Sequence, residues 1–249
     1  MGRPARLAVV LTVGLAVGLA LAATRRSDSP TTPAPVPARA AVLVAGSTSL
    51  NQSEVALRSR LQGLGYSVSV VRDLDVTTAQ ADQAALVVMS KTVRSTNVGT
   101  ELKASTAPVI FWEDNQQQLS MLATIDSRGT TGTGWHAPGR QVHVSSSAPS
   151  NVRVGLTGPV DLYAEAGEIT YAPRSNAGTP TVAASAVKIA QFGSTGDGRW
   201  VVYTIPAGAT LADGSKAAGR RSYFGLYDDT FRLMSPNGLA LFDALVPLR

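Results

Sequence analysis

Short apolar runs, almost uninterrupted by polar residues, constrain the fold of this 249-residue chain more than any other feature. They lie at residues 40–45, 84–89 and 108–112. A strand with one face in water alternates apolar and polar residues, whereas a strand covered on both faces is apolar throughout. The runs therefore predict a mainly parallel β-sheet with helices packed on both of its faces.

The first run opens a strand–helix–strand unit that reads AAVLVAGSTSLNQSEVALRSRLQGLGYSVSVV. Asn51 and Glu54 stand three residues apart, as in a capping box at a helix N-terminus. Gly65 suits the left-handed position that follows a helix. Between the two ends runs an apolar stripe of Val55, Leu57, Leu61 and Leu64. The local signals agree on a helix between two strands.

The remaining elements follow from similar signals. Short helices are expected at residues 77–83 and around 98–104. Residues 187–192 and 199–205 alternate and flank an Asp-Gly turn, which predicts an antiparallel hairpin, and 222–227 is a further strand. Ser235 followed by Pro236 is typical of a helix start. We therefore expect an α/β three-layer sandwich with a mainly parallel sheet and an antiparallel, β-rich extension.

An uncharged apolar segment, residues 7–23, has arginines on both sides. Its length falls between the roughly 7–15 residues of a secretory signal core and the roughly 20 that cross a bilayer. Residues 1–26 therefore read either as a cleaved signal peptide or as an uncleaved signal anchor. The Pro/Thr-rich linker 27–39 favours extended backbone, as a stalk or a protease-resistant leader, and 40–249 is a single domain. This predicts an extracellular protein or one anchored to the outer side of the cytoplasmic membrane, through residues 7–23 if they stay uncleaved.

Composition excludes several classes of function. The net charge of +5 lies mostly before the domain, since residues 40–249 hold 17 basic and 16 acidic side chains. A nucleic-acid footprint needs a clustered basic face, and in this part of the sequence only Arg220 and Arg221 are adjacent. The absence of cysteine excludes disulfides, thiolate nucleophiles and thiolate metal sites. Nucleic acid is therefore not an expected partner.

Three stretches resemble a class I glutamine amidotransferase-like domain of secreted bacterial proteins. They are VLVAGSTSLNQSEVALRSRLQGLGYSVSVV, ALVVMSKTVRSTNVGTELKASTAPVIFWEDN and RRSYFGLYDDTFRLMSPNGLALFDALV. The resemblance implies a flavodoxin-like sandwich, and it does not extend to residues 125–180. Active amidotransferases place a nucleophilic cysteine five residues after the proline that opens a strand, and five residues after Pro108 stands Glu113. Glutamine hydrolysis by that thiol is therefore excluded, and the fold alone implies no other activity.

The candidate site residues lie in turns after predicted strands, where ligands bind in open parallel sheets. They are Ser47 after the first strand, Ser90 and Lys91 after the third, and Glu113, Asp114 and Asn115 after the fourth. Adjacent carboxylates beside an amide and a lysine suit a hard cation or an array of sugar hydroxyls. In the alternative interpretation, Asp114 or Asn115 caps a helix that begins at residue 116, and Glu113 pairs with a lysine or arginine.

Asp228 and Asp229 end a late strand and add two carboxylates to the same rim, unless they serve only the turn. Neighbouring residues of a strand point to opposite faces, so neither pair alone makes an acid/base couple. His136 and His143 are seven residues apart, which also places them on opposite faces, and no metal or cofactor is predicted. Trp135 either stacks on a sugar ring or folds back onto the domain.

The sequence leaves three hypotheses for function. The leading one is a non-enzymatic binding or accessory domain of the cell envelope with a glycan or protein ligand, because no complete catalytic set is present. The second is a carboxylate- or metal-dependent hydrolase of envelope or extracellular carbohydrate that uses Glu113, Asp114, Asp228 and Asp229. The third is a purely structural accessory domain, which a large exposed apolar patch would favour.

Overall fold

A computed structural model describes residues 39–124, 136–172 and 181–247. The apolar segment 7–23, the predicted Gly/Thr-rich loop 129–134 and Trp135 lie outside the described residues. Within the described ranges, no helix combines the length and apolarity that crossing a bilayer requires.

The described residues form eleven strands, seven α-helices and one 3-10 helix. The strands are β1 (Arg39–Ala45), β2 (Tyr66–Arg72), β3 (Leu86–Met89), β4 (Val109–Phe111), β5 (His136–Gly139), β6 (Gln141–Val144), β7 (Gly158–Asp161), β8 (Gly167–Thr170), β9 (Val187–Phe192), β10 (Trp200–Ile205) and β11 (Arg221–Phe224). The helices are α1 (Gln52–Gly63), α2 (Thr78–Asp82), α3 (Ser95–Val98), α4 (Glu101–Ala104), α5 (Gln116–Leu119), α6 (Ser150–Arg153) and α7 (Pro236–Leu245), with the 3-10 helix at Phe231–Leu233.

Nine of these strands form one mixed sheet in the order β2-β1-β3-β4-β11-β10-β9-β6-β7. The strands from β2 to β11 pair in parallel, and those from β11 to β7 pair in antiparallel fashion. Strands β5 and β8 form a separate antiparallel pair. The predicted α/β fold with a parallel half and an antiparallel extension is confirmed, and β11 is the strand that joins the two halves.

Successive residues of the parallel strands face two different helical layers. Leu43 and Val88 pack in one apolar cluster with residues of α1 and α7. Their neighbours Val44 and Val87 pack in the second cluster with residues of α2, α3 and α4. Both faces of β3 and β4 are buried, which explains why their sequences are apolar throughout. The three layers of the predicted sandwich are therefore present.

Local signals specify the helix ends. The capping box of α1 is formed, since Asn51 Oδ1 accepts from the Glu54 amide and a Glu54 oxygen accepts from the Asn51 amide. Gly65 follows α1 with φ of 87°. Ser235 caps α7 as predicted. The helix expected around 98–104 is instead two short helices, α3 and α4, because Gly99 between them has φ of 54°.

The basic pair of the domain belongs to the fold. Arg221 is fully buried and donates to the carbonyl oxygens of Lys103, Ser105 and Ala107 at the end of α4. Arg220 donates to the carbonyl oxygen of Leu245 in α7. Both guanidinium groups therefore link chain segments that are far apart in the sequence.

Candidate functional site

An open cleft of about 680 Å³ lies at the carboxyl ends of β3, β4 and β11. Its size is that of pockets that hold small ligands. Its lining residues come from the turns after those strands, from the start of α3 and from the end of α5: Lys91, Val93, Arg94, Ser95, Thr96, Glu113, Asn115, Gln118, Leu119, Tyr227 and Asp228. Because β3, β4 and β11 are neighbours in the sheet, turns that are far apart in the chain meet here.

Lys91 forms the charged floor of this cleft. Its Nζ lies 2.8 Å from Glu113 Oε2 and 2.6 Å from Asp114 Oδ1. The side chain of Lys91 is 13% exposed, and those of Glu113 and Asp114 are 4% and 1% exposed. Burial lowers the pKa of Lys91, but the charges of Asp114 and Glu113 outweigh it, and the pKa lies above its ordinary value. The ammonium group is therefore a fixed positive charge between two buried carboxylates.

The carboxylate of Glu113 accepts hydrogen bonds from several donors. Its Oε1 accepts from Ser95 Oγ at 2.9 Å and from Asn115 Nδ2 at 3.1 Å, and its Oε2 accepts from Lys91. Burial raises the pKa of Glu113, the charge of Lys91 lowers it and that of Asp114 raises it, and the balance lies above the ordinary value. The predicted ion pair of Glu113 with a basic residue is present.

Helix α5 begins beside this ion pair without a side-chain cap. Asn115 occupies the N-cap position, but its side chain makes no capping hydrogen bond and donates to Glu113 instead. Asp114 Oδ1 accepts from the adjacent amide of Asn115 at 3.1 Å, and its buried Oδ2 has no partner within the described part of the chain. The alternative in which Asp114 or Asn115 caps α5 is therefore wrong, because both side chains serve the Lys91–Glu113 network.

Tyr227 and Asp228 line the rim of the cleft from the segment that follows β11. The Tyr227 ring centroid lies 5.9 Å from Lys91 Nζ and 4.9 Å from the ring of His136, whose Nδ1 is 2.8 Å from Glu168. Asp228 is exposed at the mouth. Partial loss of hydration raises the pKa of Asp228, the charge of Lys91 opposes this, and the nearby carboxylates add to it.

The four carboxylates proposed for a hydrolase are not equivalent. Glu113 and Asp228 line the cleft, while Asp114 lies behind the ammonium group of Lys91. Asp229 is turned away, since its two oxygens pair with Ser53 Oγ and with Arg232 Nε. The cleft therefore has one tightly held carboxylate and one exposed carboxylate.

The crevice between β1 and β3, where the strand order reverses, is filled by Glu54. Its Oε1 accepts from Ser90 Oγ at 2.7 Å and from Thr92 Oγ1 at 2.6 Å. A Cβ on Gly46 would lie 2.4 Å from the carbonyl oxygen of Thr92, so the two turns are in direct contact. Ser90 is fully buried here, and the exposed Ser47 accepts from the Ser49 amide. Neither serine lines the cleft.

The two histidines have separate partners. His136 lies in the β5–β8 pair and contacts Glu168, whereas His143 in β6 contacts Thr195. Among the residues that the structure describes, no group of three or more metal-ligating side chains is placed to hold an ion.

Sequence reasoning missed part of the cleft. The segment from Val93 to Thr96 and the residues Gln118 and Leu119 line it. Their closeness in the chain to Lys91 and Glu113 was the sequence signal that could have identified these residues as part of the cleft. The sequence places Tyr227 beside Asp228, but no pattern around it assigns its aromatic ring a binding role.

Comparison with known proteins found similarity to solved structures but not to protein families or curated proteins. No protein-family model and no curated protein matches the chain. Among solved structures, the chain is similar to a protein from Thermoplasma acidophilum described as a GMP synthase subunit, with 12% identity and a TM-score of 0.47. The similarity covers 84% of this chain and 92% of that one. At this identity and TM-score it carries no functional argument.

Proposed function

We propose that this domain is a non-enzymatic binding module of an exported or membrane-tethered protein of the cell envelope, with a glycan as its ligand. The observation that carries the proposal is the cleft beyond β3, β4 and β11, which combines fixed polar groups with an aromatic ring at its rim.

The charges of the cleft favour a neutral, polar ligand. Lys91 is already neutralised by Glu113 and Asp114. The remaining lining charges, Arg94 and Asp228, are opposite in sign. Sugar hydroxyls donate and accept hydrogen bonds, so they suit a lining that offers two cationic and two anionic side chains, Lys91, Arg94, Glu113 and Asp228.

Tyr227 supplies the apolar contact that sugar rings need. Tyr227 lines the cleft, and an aromatic face can pack against the C–H groups of a pyranose ring. His136 packs against Tyr227 and supports its orientation.

Calorimetric titration of the full chain with a panel of neutral oligosaccharides tests the proposal. We expect binding to at least one glycan and a loss of about five- to tenfold in affinity in Tyr227→Ala, on the order of 1 kcal/mol for one aromatic contact. Tyr171→Ala is the matched control, since Tyr171 packs against Phe192 and is absent from the cleft lining. A panel without any bound glycan, or equal affinity of Tyr227→Ala and wild type, would overturn the proposal.

The second candidate is a carboxylate-dependent glycoside hydrolase. The observation that favours it is that the pKa values of Glu113 and Asp228, which line the same cleft, are both raised, mainly by lost hydration, as in a general acid. Against it, the donors around Glu113 stabilise its ionised form. Release of reducing ends in the same titrations, abolished by Asp228→Asn, would replace the binding proposal with this one.

A further inference from the structure

The sequence of α5 contains three buried glutamines with different surroundings. Gln116 donates to the carbonyl oxygen of Gly99 at 2.8 Å, and Gln117 accepts from Tyr203 Oη at 2.5 Å. Gln118 is 8% exposed and lines the cleft, and its buried Nε2 has no hydrogen-bond partner among the residues that the structure describes. Among the described residues, a cleft-lining side chain therefore carries an amide N–H donor without an acceptor.

An unused buried amide is unfavourable in the free protein. A buried polar group without a partner costs about 1–3 kcal/mol, and native proteins contain few of them. A bound group that pairs with this amide removes that cost on binding. The matching ligand group is a carbonyl oxygen, and an amide offers one together with an N–H donor.

The neighbours of Gln118 in the cleft extend this match. Val93 is 5% exposed and Leu119 is half-buried, and both line the same cleft. They provide an apolar surface for a methyl group. Glu113, an acceptor with its charge already compensated by Lys91, lies in the same lining and can accept an N–H. Carbonyl, N–H and methyl together describe an acetamido group.

We infer that the cleft binds a sugar that carries an N-acetyl group, with the acetamido amide against Gln118 and its methyl group against Val93 and Leu119. The inference rests on the proposed glycan-binding function. A sugar, rather than a peptide, is the source of the amide because Tyr227 at the rim offers a flat ring for a pyranose face.

Paired ligands test the inference directly. The full chain, in mild detergent because of the apolar segment 7–23, is titrated with β-1,4-linked tetramers of N-acetylglucosamine and of glucose. These tetramers differ in the acetamido group alone. We expect the N-acetylated tetramer to bind at least about tenfold more tightly, since a site that hydrogen-bonds a ligand group discriminates against the analogue that lacks it. A short alanine peptide is the third ligand.

The variant Gln118→Met keeps the length of the side chain and removes the amide. It is expected to reduce the preference for the N-acetylated tetramer over the glucose tetramer to less than about threefold. Gln62→Met, on the exposed end of α1, is the matched control. A variant-free measurement is the intermolecular NMR contact between the acetyl methyl group and the methyl groups of Val93 and Leu119.

The outcomes distinguish failure of the acetamido inference from failure of the proposed glycan-binding function. Equal binding of both tetramers keeps the glycan proposal and overturns the acetamido inference, as does an undiminished preference in Gln118→Met. Competition by the peptide at equal strength assigns the amide to a peptide and overturns the sugar. Absence of binding to every glycan overturns the proposed function together with the inference.

Discussion

Replacing Lys91 by methionine removes the only cation that contacts both Glu113 and Asp114 among the described residues. The two carboxylates are 4% and 1% exposed, so water cannot replace the ammonium group. Removal of one partner from a buried ion pair costs about 3–5 kcal/mol. We expect Lys91→Met to lower the free energy of unfolding by that amount at about pH 7.

The loss of unfolding free energy in Lys91→Met is expected to increase with pH. Glu113 has a folded-state pKa above its ordinary value of 4.5, and without Lys91 that pKa rises further. A carboxyl group with a raised folded pKa contributes stability that is fully present below the unfolded pKa and is lost as the pH rises through the folded pKa. The deficit of Lys91→Met relative to wild type should therefore be small near pH 4.5 and grow towards pH 7.

Equilibrium urea unfolding at the two pH values, followed by tryptophan fluorescence, measures this difference. Lys103→Met is the matched control, because Lys103 pairs with Asp213 at 2.6 Å with side chains that are 25% and 31% exposed. Such exposed pairs contribute little. A deficit below about 1 kcal/mol for Lys91→Met, or an equal deficit at both pH values, would refute the reasoning about the buried ion pair.

Two further predictions concern the fold. Arg221→Met leaves the buried carbonyl oxygens at the end of α4 without their donor and should lower the free energy of unfolding by about 3 kcal/mol, and a loss below about 1 kcal/mol in thermal unfolding would contradict this. Gly225→Ala would place a methyl carbon 1.9 Å from the carbonyl oxygen of Thr170, so we expect no native circular dichroism spectrum. The control is Gly63→Ala at the end of α1, where the new carbon has open space around it, so this variant should raise the free energy of unfolding by about 0.5–1 kcal/mol. A cooperative native melt of Gly225→Ala would contradict the prediction, because it would show that the close approach to Thr170 can relax.

The sequence was most informative where a structure depends on nearby residues. The capping box of Asn51 and Glu54 and the cap at Ser235 act within one helical turn, and both are present. The apolar strands β3 and β4 were recognisable because both of their faces are buried. Strands β5, β7 and β8 contain glycine or proline, and β5 pairs with β8 and β6 with β9 rather than only with a neighbour in the chain, so the segments themselves gave no clear signal.

The candidate site followed only partly from the sequence. The turns that hold Lys91, Glu113 and Asp228 meet because their strands are adjacent in the sheet, which the rule for parallel sheets anticipates. The positions of Ser47 and Ser90 outside the cleft were not foreseeable from strand order alone. They depend on Glu54, whose role in the capping box gave no indication that its second oxygen reaches Ser90 and Thr92.

The second role of Glu54 is to satisfy the N-terminus of α1 from within the fold. A helix N-terminus beside a strand switch is a favourable place for an external anion such as a phosphate. Here an internal carboxylate serves as the permanent counter-charge of α1, so the helix needs no bound anion to be satisfied. Ser90 and Thr92 in the turn after β3 are thus committed to the fold, whereas Lys91 between them lines the cleft.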